Sequence, residues 1–162
     1  MGKRRPDHLG FNARTSFPEK FMAIVWTQAT DTVDWDEMSE LYRIAPLGTK
    51  SADWLRTAYS NSMFKCIALD DGKIVAAGRA VADGVDCSYL CDIVVHPDHQ
   101  GSGLGKSLIQ TLIGLSQGHR KIILYAVPGR EPFYEKFGFR RMNTAMAIFA
   151  DPVKAQADGY TQ

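Results

Sequence analysis

The feature that most constrains the fold is a run of three consecutive segments. "SYLCDIVVHP" (residues 88–97) is apolar almost without interruption, a glycine-rich stretch follows, and "GKSLIQTLIGLSQG" (105–118) then takes up a helical rhythm. A strand that does not alternate apolar with polar residues is buried on both faces, so the first segment predicts a central position in a sheet. In the third, Leu108, Leu112, Ile113 and Leu115 form a stripe, and Gly118 stops the helix. "RKIILYAV" (120–127) reads as the next buried strand.

The remaining segments extend this into a mixed α/β sheet. Residues 1–20 carry charge, Pro and Gly without periodicity and are expected to form a mobile leader. "FMAIVWTQA" (21–29) suits a strand. Residues 31–46 suit a helix carrying Val33, Met38, Leu41, Tyr42 and Ile44, opened by Asp34 with Glu37 three residues on and ended by Pro46. A second helix, capped by Ser51, sets Trp54, Leu55 and Ala58 on one face. "FKCIAL" and "KIVAAGRAVA" flank Asp70-Asp71-Gly72, a hairpin signal. "REPFYEKFGF" (130–139) gives a short helix opened by Pro132 and closed by Gly138, and "MNTAMAIF" (142–149) a last strand. The expected order is β-α-α-β-β-β-α-β-α-β in one domain, residues 21–150, with 151–162 as a C-terminal tail.

Composition narrows the function classes. The net charge of +1 provides no basic field for nucleic acid, and "GKRR" at residues 2–5 suits a solvated terminus. Three cysteines, Cys66, Cys87 and Cys91, form an odd set without CxxC spacing, which argues against a disulfide scaffold and a zinc site. No apolar run is long enough to span a membrane, no signal-peptide core follows the basic start, and Pro6 stands where a myristoylation signal needs Ser or Thr. The expectation is a cytoplasmic protein without metal, nucleic-acid or membrane partners.

Gly105-Lys106-Ser107 imitates a nucleotide-binding P-loop, but the pattern fails. Its first glycine position holds Gln100, "HPDHQ" separates the strand from the glycines, and "IILYAVPG" lacks a magnesium-binding Asp. The dinucleotide fingerprint fails as well: from Gly101 its last glycine falls on Lys106, and from Gly103 on Leu108. What fits is Gln-x-x-Gly-x-Gly: Gln100, Gly103 and Gly105 behind Val95-His96-Pro97. This resembles motif A of the GNAT superfamily of N-acetyltransferases, and "FYEKFGF" (133–139) resembles its motif B. The resemblance runs from about residue 64 to residue 149. It implies a GNAT-like, mostly antiparallel twisted sheet flanked by helices, with acetyl-CoA as co-substrate. Backbone N–H groups at a helix N-terminus suit a pyrophosphate, and missing side chains allow close approach.

The resemblance also distributes roles. The loop Gln100, Gly101, Ser102, Gly103, Leu104, Gly105 and Lys106 would hold pyrophosphate, and the main chain of Ile93, Val94 and Val95 would bond the pantetheine arm. Tyr134 matches the tyrosine that donates a proton to the coenzyme A sulfur. A phenol with an ordinary pKa near ~10 keeps that proton at neutral pH. Relatives often carry Glu or His where this chain has Cys91, which leaves the proton acceptor open among Asp92, Tyr89 and a water chain. Asp92, the lone carboxylate in an apolar strand, must be paired, hydrogen-bonded or functional. His96 reads as a solvated turn residue.

Acceptor pockets in this superfamily draw on the first helices, which offer Trp35, Tyr42, Trp54 and Tyr59 together with Asp34, Asp36, Glu37 and Glu40. The expected reaction is N-acetylation of a small primary amine of arylalkylamine or amino-sugar type, in a chain that allows a homodimer. A protein N-terminus or lysine as acceptor, and a non-catalytic acyl-CoA-binding module, are the alternatives.

Overall fold

The computed structural model describes residues 24–162, so the expected leader and the first residues of the first strand lie outside the described segment. In chain order the elements are β1 (Val25–Thr27), α1 (Trp35–Ile44), α2 (Ala52–Ser60), β2 (Phe64–Asp70), β3 (Lys73–Ala82), β4 (Cys87–Val95), a 3-10 turn (Pro97–His99), α3 (Leu104–Leu115), β5 (Lys121–Ile123), α4 (Glu131–Glu135) and α5 (Pro152–Ala157). The five strands form one sheet in the order β1-β2-β3-β4-β5. Every pairing is antiparallel except β4 with β5.

Local chemistry starts these elements where the sequence suggests. Asp34 caps α1 by accepting from the N–H groups of Asp36 and Glu37, and Ser51 caps α2 by accepting from Trp54. Glu37 does not close the capping box: its Oε1 accepts from the N–H of Ile74 at 3.0 Å, stitching α1 to β3. Asp71 and Gly72 turn the β2–β3 hairpin with φ of 48° and 74°, the left-handed pair that a two-residue hairpin loop requires.

The sheet is covered on both faces. On one, α1 and α2 contribute Met38, Leu41, Tyr42, Leu55 and Tyr59 to a cluster with Ile67, Ala77 and Val94. On the other, α3 lays Leu104, Leu108 and Leu112 against Cys66, Ala76, Ala80 and Leu90. Gly78 makes this second contact possible. A Cβ there would meet Ile93 Cδ1 at 2.8 Å and Leu112 Cδ1 at 3.0 Å, closer than packed carbon atoms tolerate.

Strand β4 lies inside the sheet as expected, between β3 and β5, but its pairing with β5 is short. Several expectations are corrected. On α2 Tyr59 is buried while Trp54 is exposed, since Leu55 and Tyr59 stand one turn apart on the core face. Ile109 joins the buried face of α3. Strand β5 stops at Ile123. Residues 142–149 form no strand: no ladder includes them, and Met146 and Ile148 project into solvent. A strand exists only with a hydrogen-bonding neighbour, and alternating apolar residues cannot supply one. The tail forms α5, capped by Asp151, with Pro152 in its first turn and Ala155 buried.

The β3–β4 connection is fastened by one carboxylate. Asp83 Oδ1 accepts from the N–H groups of Val85, Asp86 and Cys87, and these bonds hold its pKa down at about 2. A depressed carboxylate stabilises the fold at pH above its unfolded value near ~4, and that contribution disappears as pH falls through its folded value. Asp83→Ala is therefore expected to lower Tm more at pH 7 than near pH 2, the difference shrinking as pH falls from about 4. Thermal melts of both proteins across this window check it.

Candidate active site

Strand β4 meets β5 only from Cys87↔Lys121 to Tyr89↔Ile123. Beyond Tyr89 no strand among the described residues pairs with β4 on that side, so the edge facing away from β3 is open. Neighbouring residues of an antiparallel strand send their backbone groups to opposite edges. The N–H of His96 bonds the carbonyl of Val75, across towards β3, at 2.8 Å. Val95 therefore presents its backbone to the open side, where its carbonyl accepts from Gln100 Nε2 at 3.1 Å. The side chains of Ile93 and Val95 pack with the α3 cluster and Val94 lies in the opposite core, so of these three only main chain is available to a ligand.

The open edge runs directly into the glycine loop. After the 3-10 turn the chain is folded on itself by bonds from Gln100 N–H to the Pro97 carbonyl and from Ser102 Oγ to the His99 carbonyl. Gly101 and Gly103 take φ of 78° and 90°, and nothing lies within 4 Å of where a Cβ at either would sit. Gly103 is the N-cap of α3, and no side chain caps the helix. The first-turn N–H groups, which have no partner inside a helix, are left for whatever lies in front of them. Leu104 is buried beneath the loop, and Lys106 projects from the first turn in solvent. An uncapped helix start with open space over its glycines and a cation beside it fits an anionic diphosphate.

Helix α4 lies beside this start. A Cβ on Gly105 would come within 3.9 Å of the Phe133 ring, so the two motifs separated in sequence are neighbours in space. Tyr134 sits edge-on to Phe133 and Phe139, half-buried, and burial raises its phenol pKa against a smaller lowering by Arg130. Its ring lines a cleft of about 1020 Å³ with Ile113, Ile122, Leu124, Phe139 and Tyr160. None of the loop residues 100–106 lines that cleft.

Asp92 lies one residue beyond Cys91, at a bulge. The ladder passes from Ala77↔Val94 to Arg79↔Cys91, so Asp92 and Ile93 together oppose Gly78. Asp92 takes φ of 54°, a left-handed backbone on a non-glycine residue. Three elements hold it there. Arg79 Nε donates to Oδ2 at 2.6 Å and Lys50 Nζ to Oδ1, while Tyr42 Oη donates to the Asp92 carbonyl at 2.6 Å. Tyr42 has spent its only proton on that carbonyl, so in its 2.9 Å contact with Tyr59 the latter is the donor. Arg79 also reaches Ser62 Oγ at 3.1 Å. Sequence reasoning placed Tyr42 and Tyr59 in the acceptor pocket and missed Lys50 and Arg79. The one available signal was the rule that a carboxylate in an apolar strand needs a cation.

The other residues singled out in the sequence find plain places. Trp35, Tyr42 and Tyr59 are core residues, and only Trp54 stays open to an acceptor. The α1 acids are engaged: Asp34 as cap, Glu37 at Ile74 and Glu40 in an ion pair with Arg43, with Asp36 in the exposed first turn. Glu37 and Glu40 line a separate cleft of about 420 Å³ beside His96 and His99. His96 caps the 3-10 turn through the Asp98 N–H. Tyr89 stacks on Tyr125 with centroids 5.7 Å apart, and burial raises its pKa. Burial likewise pushes the Cys91 thiol up to about 11, so at neutral pH it is a thiol rather than a nucleophilic thiolate.

A family model described as the acetyltransferase (GNAT) family matches residues 27–139. A glucosamine 6-phosphate N-acetyltransferase of Trypanosoma brucei brucei is 41% identical over 78 residues, covering 47% of this chain and 49% of that protein. A chloroplastic serotonin N-acetyltransferase 2 of Oryza sativa is 31% identical over 115 residues, covering 66% and 56%. The chain thus spans about half the length of these curated relatives. Among solved structures, a probable acetyltransferase of Staphylococcus aureus superposes with a TM-score of 0.69 at 18% identity, over 80% of this chain and 99% of that one, which attests the fold. The glycine loop, the open edge of β4 and the tyrosine-bearing helix α4 all fall inside the matched segment, and the chain belongs to the GNAT acetyltransferase family.

Proposed function

We propose that this chain transfers the acetyl group of acetyl-CoA to a small primary amine. The observation that carries the reading is the continuity of the open β4 edge with an uncapped helix start at Gly103. A long, thin ligand with a diphosphate at one end and an amide-bearing arm at the other matches both. The relatives named for N-acetylation of glucosamine 6-phosphate and of serotonin support a small amine acceptor.

Acetyl-CoA supplies a thioester whose carbonyl carbon forms the new C–N bond as its C–S bond breaks. The chain's own contributions follow from position. N–H groups of the α3 first turn and Lys106 hold the phosphates, and the Val95 main chain on the open edge bonds the arm. The phenol of Tyr134 gives its proton to the departing sulfur and regains one from solvent. Burial raises its pKa, so the proton is present across the neutral range. Both Asp92 oxygens already accept from cations. Asp92 therefore fixes the β4 bulge as a positioning residue, and the proton lost by the amine leaves through water.

Thiol released from acetyl-CoA in the presence of an amine panel tests the reaction. Release that depends on an amine supports it, and coenzyme binding without release for any amine overturns it in favour of an acyl-CoA-binding module. Gly103→Val is expected to weaken acetyl-CoA at least about tenfold by calorimetry, because it puts a side chain over the phosphate cradle and strains a left-handed backbone. Unchanged affinity would remove the loop from the site.

A further inference from the structure

The side of β4 facing α2 carries more positive charge than it neutralises. Lys50, on the connection before α2, and Arg79, on β3, share the single carboxylate of Asp92. No second acid pairs with either cation among the described residues. Their side chains are only 21% and 13% exposed, so water offsets the surplus charge only in part, while Lys50 stays reachable from solvent. Each also keeps donors in reserve. One N–H of the Lys50 ammonium goes to Asp92, and Arg79 uses Nε on Asp92 and one terminal nitrogen on Ser62, leaving several of their N–H groups without a partner among the described residues. Lys50 is held between rings, 4.8 Å from the centroid of Tyr42 and 4.9 Å from that of Trp54. Ser39 Oγ fixes its backbone by donating to the Lys50 carbonyl at 2.6 Å. Trp54, whose ring centroid lies 6.0 Å from the Arg79 guanidinium, is a 48% exposed residue. A half-exposed indole beside a surplus cation is a surface for a ring or apolar body that ends in an anion.

Resting on the acetyltransferase reading, we infer that Lys50, with Arg79 behind it, selects an acceptor amine that also carries an anionic oxyacid group, a phosphate or a carboxylate. A bare amine is a cation in water and is repelled by the same charges. An added anion converts that repulsion into a charge-assisted hydrogen bond, while Trp54 covers the carbon skeleton between the two groups.

The test compares kcat/KM at saturating acetyl-CoA within two matched pairs: benzylamine against para-(aminomethyl)benzoate, and glucosamine against glucosamine 6-phosphate. In at least one pair the anionic member is expected to be preferred by about ten- to a hundredfold, mainly through KM, the range of a hydrogen bond to a charged group. Which pair responds tells carboxylate from phosphate. Lys50→Gln should bring the preference towards one, Lys50→Arg should retain it, and added salt should erode it in the native protein. The salt series needs no variant and holds even if Lys50→Gln folds poorly. A ratio near one in both pairs, or a preference insensitive to both Lys50→Gln and salt, overturns the inference while leaving an active acetyltransferase. Absence of thiol release from all four amines overturns this inference, and absence across the whole amine panel overturns the acetyltransferase reading as well.

Discussion

Replacing Tyr134 with Phe is expected to lower turnover by roughly ten- to a thousandfold, overlapping the lower part of the roughly hundred- to ten-thousandfold range of a positioned general acid, with acetyl-CoA affinity nearly unchanged. The ring packs edge-on against Phe133 and Phe139, and Phe preserves that packing, so the loss is confined to the hydroxyl. The phenol is shielded and its pKa is raised by burial. Proton donation from Tyr134 therefore produces no falling limb in the pH–rate profile below the ordinary tyrosine range near ~10. Rapid-quench measurement of the chemical step in both proteins is the check. An unchanged chemical step in Tyr134→Phe would assign thiolate protonation to another group or to water.

The second large effect belongs to Asp92. Asp92→Asn preserves shape, and Asn tolerates the left-handed backbone, so the φ of 54° is not itself lost. What disappears is the charge shared by Lys50 and Arg79, which leaves two mostly buried cations without their common partner. Breaking such an arrangement by removing one partner costs about 3 kcal/mol. For a chain of this size that corresponds to a fall in Tm of about 6–12 °C. Turnover should drop as the bulge loosens, and the pH–rate profile of the surviving enzyme should keep its shape. A profile that instead recovers at high pH, with Tm intact, would make Asp92 the proton acceptor. Differential scanning calorimetry and a pH series on the one variant separate these outcomes.

What could be read from the sequence was local. The Asp34 and Ser51 caps, the Asp71-Gly72 turn and the glycine loop are each set by residues within a turn of one another, and each occurs where expected. Motif B was legible in the same way, although its contact with Gly105 was not. The site's polar centre is of another kind. Asp92 is partnered by Lys50 and Arg79 from two other elements, and its carbonyl by Tyr42 from a third. One sequence states that a carboxylate in an apolar strand needs partners and is silent on which cations the topology delivers. Residues 142–149 fail for a related reason, since alternation describes a face and a strand also needs a neighbour. Helix α5 was there to be found: Asp151-Pro152 is a cap followed by a first-turn proline.

The central claim, that the Gln100–Lys106 cradle and the open β4 edge hold acetyl-CoA, is tested most directly by thermal melts with acetyl-CoA and, separately, with magnesium ATP. A ligand at a hundred times its Kd adds about 2.7 kcal/mol of stability, which raises Tm by about 5–10 °C in a protein of this size. Acetyl-CoA should produce that shift and ATP should produce almost none, because the strand leading to the loop offers bonding partners only to a pantetheine arm. Equal stabilisation by magnesium ATP, or no stabilisation by acetyl-CoA, would contradict the account.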